Sequence, residues 1–126
     1  MTAKQYIVSQ YRCEPVGEDI LKLTFDVGGG RSQVLFVTWS GPSAEEARFL
    51  DLHSPIGRVE QLDLHAAVRR TSQFVIGGLS MLGEVVTLRH CAPLENLDRN
   101  EIDEPMHRLL GIADELEAEL TGRDDF

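Results

Sequence analysis

Four histidines, His53, His65, His90 and His107, and two cysteines, Cys13 and Cys91, carry the side chains best suited to hold a metal or act as nucleophiles. No two histidines stand four apart, the helical spacing of a two-histidine metal site, and no Cys-x-x-Cys occurs. His90 and Cys91 are neighbours, but adjacent side chains on a strand point to opposite faces, so the two would not share a metal. The Gly-x-Ser-x-Gly of a nucleophile elbow is missing, because Gly78-Leu79-Ser80-Met81-Leu82 lacks the second glycine. Gly28-Gly29-Gly30 has no Lys-Ser or Lys-Thr after it and leads into a strand, so it reads as a hairpin turn and not as a phosphate cradle. Asp114 and Glu117, three apart on a helix, read as surface or capping charges and not as an acid–base pair. No catalytic residue, cofactor or metal is expected, and the chain reads as a binding protein, not an enzyme.

The elements that must present a binding surface follow from periodicity. Leu21, Leu23, Phe25 and Val27 alternate with Lys22, Thr24 and Asp26, the pattern of a half-buried strand. After the glycine turn, Val34-Leu35-Phe36-Val37-Thr38-Trp39 is apolar on both faces and makes the second, more interior strand of a hairpin. A strand is also expected from Ile7 to Cys13, with a turn at Pro15-Val16-Gly17. Ser43 and Glu46 have capping-box spacing for a short helical turn. Phe49 to His53 reads as a strand ending at Ser54-Pro55-Ile56-Gly57. Leu64, Ala67, Val68 and Thr71 have helical spacing behind the capping residue Asp63.

Phe74 to Leu82 and Glu84 to Cys91 form a second hairpin around Gly83, with Gly77 and Gly78 marking a bulge or a close backbone approach. Met106, Leu109, Ala113, Leu116 and Leu120 make one stripe of a last helix, widened by Leu110, with Asp114, Glu115, Glu117 and Glu119 beside or opposite it. Pro105 belongs in that helix's first turn, Asp103 is its expected cap, and Gly122 its end, with Asp124-Asp125-Phe126 frayed beyond it. Strands, helix, hairpin and helix in this order indicate one α+β domain over residues 1–126, with a mainly antiparallel sheet, a middle helix and a long C-terminal helix.

Charge and composition narrow the partner. The chain carries 21 acids against 12 Lys and Arg, for a net charge of −9. From Glu95 to Phe126 stand 11 acids and three bases, so nearly all of the excess is C-terminal. Such a surface repels phosphate backbones, which argues against nucleic acid. No apolar run is long enough to span a bilayer and the N-terminus has no signal-peptide pattern, so a cytoplasmic protein without a membrane partner is expected. Cys13 and Cys91 read as reduced, partly buried thiols; a disulfide would require adjacent backbones. Arg69-Arg70 read as a solvated helix end.

The quoted segments also carry a resemblance. Ser54-Pro55-Ile56-Gly57, the helix ending at Arg70-Thr71-Ser72, the hairpin Phe74 to His90, Leu94-Glu95-Asn96-Leu97 and Ile112-Ala113-Asp114-Glu115-Leu116-Glu117 follow one another in the order of the YbjN family. The members of that family are similar in fold to class I type III secretion chaperones. The likeness covers about residues 20 to 120. The chaperones proper open with a helix, whereas this N-terminus reads as a strand. The resemblance implies a dimeric, non-catalytic domain acting as a chaperone-like or regulatory binding protein. The expectation is a homodimer holding a segment of another protein in an apolar groove or on a sheet edge, with Trp39, Phe49, Leu64 and Val68 as candidate contacts. The alternative is a regulatory adaptor docking its acidic last helix on a basic partner.

Overall fold

The computed structural model describes residues 2–41, 46–74 and 76–121. It is an α+β fold in which helix α1 (Ala3–Gln10) precedes strands β1 (Cys13–Gly17), β2 (Ile20–Gly28), β3 (Arg31–Ser40) and β4 (Phe49–Arg58). A 3-10 turn (Val59–Gln61), helix α2 (Leu64–Thr71), strands β5 (Gly78–Leu82) and β6 (Val85–Pro93) and helix α3 (Asn100–Thr121) complete it. All six strands join one sheet in the order β1-β2-β3-β4-β6-β5, every neighbouring pair antiparallel.

Period two decides which side chains meet. Leu21 and Leu23 of β2, Leu35 and Val37 of β3, Leu50 and Leu52 of β4, and Val86 and Leu88 of β6 share one face through their cross-strand register. That face is covered by Ile7 of α1 and by Met106, Leu109, Leu110, Ala113 and Leu116 of α3, and together these residues are the core. The expected stripe on the last helix is therefore the face that packs. Gly28, Gly29 and Gly30 all have positive φ, which the reversal between β2 and β3 requires and which glycine adopts without a Cβ penalty.

Several expectations are corrected. Of the segment from Ile7 to Cys13 read as a strand, residues 7–10 belong to helix α1 and only Cys13 opens a strand, β1. Helix α1 is started by a capping box in which Thr2 Oγ1 accepts from the Gln5 amide and Gln5 Oε1 from the Thr2 amide. Pro15-Val16-Gly17 lies in edge strand β1, where a missing amide hydrogen is tolerated, and the reversal falls at Glu18-Asp19 instead. Ser54-Pro55-Ile56-Gly57 does not end its strand. β4 continues to Arg58 against β6, and on the β3 side the ladder past His53 gives way to side chains. There the buried Gln33 donates to the Pro55 carbonyl at 2.7 Å, and Ser54 Oγ donates to the Val34 carbonyl at 2.7 Å.

In α3, Pro105 falls in the second turn and Asp103 is no cap. The Glu101 amide is taken by Asp98 Oδ1 at 3.0 Å. Glu117, expected beside or opposite the stripe, is buried, with Arg31 of β3 3.9 Å away; Arg31 also pairs with Asp114 at 2.9 Å. The turn at Ser43 and the C-terminal residues from Gly122 lie outside the described residues.

Candidate functional site

The face of the sheet opposite the helices is the candidate site. Alternation that sends Leu35 and Val37 into the core turns Phe36 and Thr38 the other way, which is why the β3 sequence is apolar at both parities. Beside them on this face lie Ile20 of β2 and Pro55 of β4. Val16 of edge strand β1 closes one side, and Leu82, Val85 and Thr87 of the β5–β6 hairpin close the other. The result is an almost wholly apolar groove of about 410 Å³, and none of its lining residues belongs to a helix.

A polar cluster adjoins the groove. Asp51 stands directly between Thr38 of β3 and Cys91 of β6, and it is only 1% exposed. Its Oδ1 accepts from Arg89 Nη2 at 2.6 Å, from Arg89 Nε at 3.1 Å and from Cys91 Sγ at 2.5 Å, while Ser40 Oγ donates to Oδ2. Burial pushes the Asp51 carboxyl up, but the hydrogen bonds from Cys91, Ser40 and Arg89 and the guanidinium charge outweigh it, so the group is held below the usual carboxylate range. Its hydrogen bond and charge raise Arg89 in return. Cys91 is pushed up by burial and by Asp51, which keeps it a thiol and a poor nucleophile. His53, between Phe36 and Arg89 in the register, has its Nδ1 3.4 Å from Thr87 Oγ1, and burial and the Arg89 charge lower its pKa. The arrangement supplies a permanently charged donor fixed in orientation, and no activated nucleophile.

The four expected contact residues are not brought together here. Trp39 lies on the helix-covered face, half-buried against the core with Lys4 Nζ 5.7 Å from its ring centre. Phe49 is exposed on the open face, beyond Asp51 on the same strand. Leu64 and Val68 are exposed on α2, whose buried residue is Ala67, so the helical spacing found the element while the apolar pair at its surface stays outside the core. Arg70 is partly solvent-exposed at the end of α2, as expected of a solvated helix end, and pairs there with the exposed Glu119 of α3 at 3.0 Å. His90 faces the covered side and Cys91 the open one; both cysteines are free, and Cys91 is exposed where a partly buried thiol was expected. Among the described residues no cluster of three or more His, Cys, Asp or Glu is placed to hold a metal, and no helix is long and apolar enough to cross a membrane.

Sequence reasoning missed the groove and the Asp51–Arg89 pair. The signal for the first was present in Phe36, whose apolar side chain faces away from the core strand residues on either side of it. The second has no local signal, since Asp51 and Arg89 are 38 positions apart.

No family model, curated protein or solved structure matches this chain.

Proposed function

We propose that the chain is a non-enzymatic, chaperone-like protein-binding module that holds an extended segment of another protein against the open face of its sheet. The single observation that carries this reading is the apolar groove over Phe36, Pro55, Leu82 and Val85, which no helix among the described residues covers. Apolar area left in water is costly, and a segment laying alternate apolar side chains into the groove would remove it. The N-terminal helix α1 removes the departure from the chaperone pattern noted above, which supports the likeness to the YbjN and type III secretion chaperone folds.

Pairing of two copies accompanies this reading. Strand β5 is a sheet edge of sequence Gly-Leu-Ser-Met-Leu, without charge or proline to blunt it, and Met81 and Leu82 are exposed on it. Centred on Ser80, two such edges would set each Leu82 over the open space beside the partner copy's Gly78, where a Cβ meets nothing within 4 Å. Leu64 and Val68 of α2 lie near the same edge through the packing of α2 on β5.

The test is suppression of aggregation of a reduced, unfolding model protein, followed by light scattering. The wild-type chain is expected to suppress it. Leu82→Asp, a change at an exposed position, is expected to lose most of the effect with unchanged circular dichroism. Equal suppression by the variant, or none by the wild type, overturns the reading. Light scattering on a sizing column at two concentrations tests the pairing, for which a mass of twice 14.1 kDa is expected.

A second reading, the acidic adaptor, rests on Glu101 and Glu115, which are exposed on α3. Glu104 and Glu119 are already paired with Arg108 and Arg70, which weakens that surface. Binding through it would fall steeply with salt, whereas groove binding would not.

A further inference from the structure

The apolar groove ends against a cation, and this sets what a bound segment must carry. Along β6 the open-face residues run Val85, Thr87, Arg89, and along β4 they run Pro55, His53, Asp51. Apolar groove therefore gives way to Arg89 within two residues of strand, about 7 Å. Asp51 takes Nε and Nη2 of the guanidinium from inside, so the planar fork is fixed and its Nη1 edge is turned away from that carboxylate. The Arg89 side chain is 40% exposed while that of Asp51 is 1% exposed. The pair is a dipole with its positive end outward.

The rest of that cross-strand row leaves Arg89 as the charge facing a partner. The row reads Glu14, Lys22, Phe36, His53, Arg89 from β1 to β6. Lys22 is separated from Arg89 in this row by Phe36 and His53 and stands directly across from Glu14, of opposite charge. Also beside Arg89 among the described residues are the Cys91 thiol, 3.7 Å from the guanidinium, and, in the register, His53 of β4 and Gly78 of β5.

We infer that the groove selects an extended polypeptide segment bearing a carboxylate side chain two residues from its apolar anchor, the anchor seated over the cross-strand pair Pro55 and Thr87 and the carboxylate on the outer edge of Arg89. This deepens the proposed function and rests on it. Two-residue spacing follows because an extended segment presents alternate side chains to one face, with the same rise as the strands beneath it. A carboxylate is favoured over a neutral acceptor because its hydrogen bonds to guanidinium are charge-assisted and its planar shape fits the fork.

The test is selection of a random 12-residue peptide library displayed on phage against the whole chain, followed by fluorescence anisotropy of the enriched peptides. Enriched sequences are expected to carry Asp or Glu two positions from a large apolar residue. Changing that acid to its amide is expected to weaken binding at least tenfold, with the protein untouched. Asp51→Asn/Arg89→Gln, which removes both charges together and so leaves no buried carboxylate alone, is expected to abolish the difference between acid and amide peptides. Apolar peptides without the acid, or acid and amide forms that bind equally, overturn the inference and leave the proposed function standing. Enrichment of Lys- and Arg-rich peptides, or of nothing, overturns both.

Discussion

The Tyr6 hydroxyl donates to Asp103 Oδ2 at 2.6 Å, joining the first helix to the last across 97 positions of sequence. Tyr11 donates to the other oxygen at 2.5 Å, so one carboxylate ties the middle of α1 and its C-terminal cap to α3. The Asp103 hydrogen bond raises the Tyr6 hydroxyl above its ordinary value, and burial followed by the same carboxylate raises Tyr11, so both remain donors through neutral pH. Asp103→Ala is expected to destabilise the chain by about 2 kcal/mol, since hydrogen bonds to a charged group exceed neutral ones. Chemical denaturation measures this, and hydrogen exchange is expected to show α1 opening first in the variant.

Gly77 marks a close approach and Gly78 does not. A Cβ at Gly77 would lie 3.0 Å from Leu109 Cδ1 and 3.1 Å from Leu88 Cγ, on a backbone with φ of +91°. Gly77→Ala is expected to cost about 2 kcal/mol from strain and displaced core. Gly78→Ala meets nothing and is expected to change stability by well under 1 kcal/mol. Equal thermal shifts in the two variants would contradict this difference.

Stability is expected to fall with acid in two stages. His53 and His90 have lowered pKa values in the folded chain, both chiefly from burial, so the unfolded chain binds their protons first. Their contribution is complete above the unfolded value of about 6.5 and is lost as pH falls from there through the lower folded value. Asp51, also lowered, contributes above the unfolded value of about 3.9 and is lost below it as pH falls through its folded value. Urea titrations from pH 8 to pH 3 should show both stages, and Asp51→Asn should remove most of the second.

Arg31 sets a positive charge 3.9 Å from the buried Glu117. Arg31→Met is expected to cost about 2 kcal/mol, less than the loss of a fully buried pair because Arg31 is itself 30% exposed. The Arg31→Met/Glu117→Gln double variant is expected to recover most of that loss, as a double-mutant cycle would measure.

The sequence by itself determined the elements whose patterns are local. The strand from Leu21, the glycine reversal, the hairpin around Gly83, Asp63 as the cap of α2 and the packing stripe of α3 are each set by period, turn chemistry or a cap within a few residues. It did not determine the first helix. Its two buried residues, Tyr6 and Ile7, are adjacent and give no period, and α1 is fixed by packing on the core and by Asp103, 97 positions away. Nor did it determine that β4 runs through Pro55, because the Gln33 and Ser54 side chains that replace its ladder come from sequence separations of about 20. The candidate site was decided wholly by tertiary structure. Alternation shows that Phe36 and Leu35 face opposite ways, but only the placing of all the helices on one side of the sheet leaves Phe36 uncovered, and only the β4–β6 register brings Arg89 to Asp51.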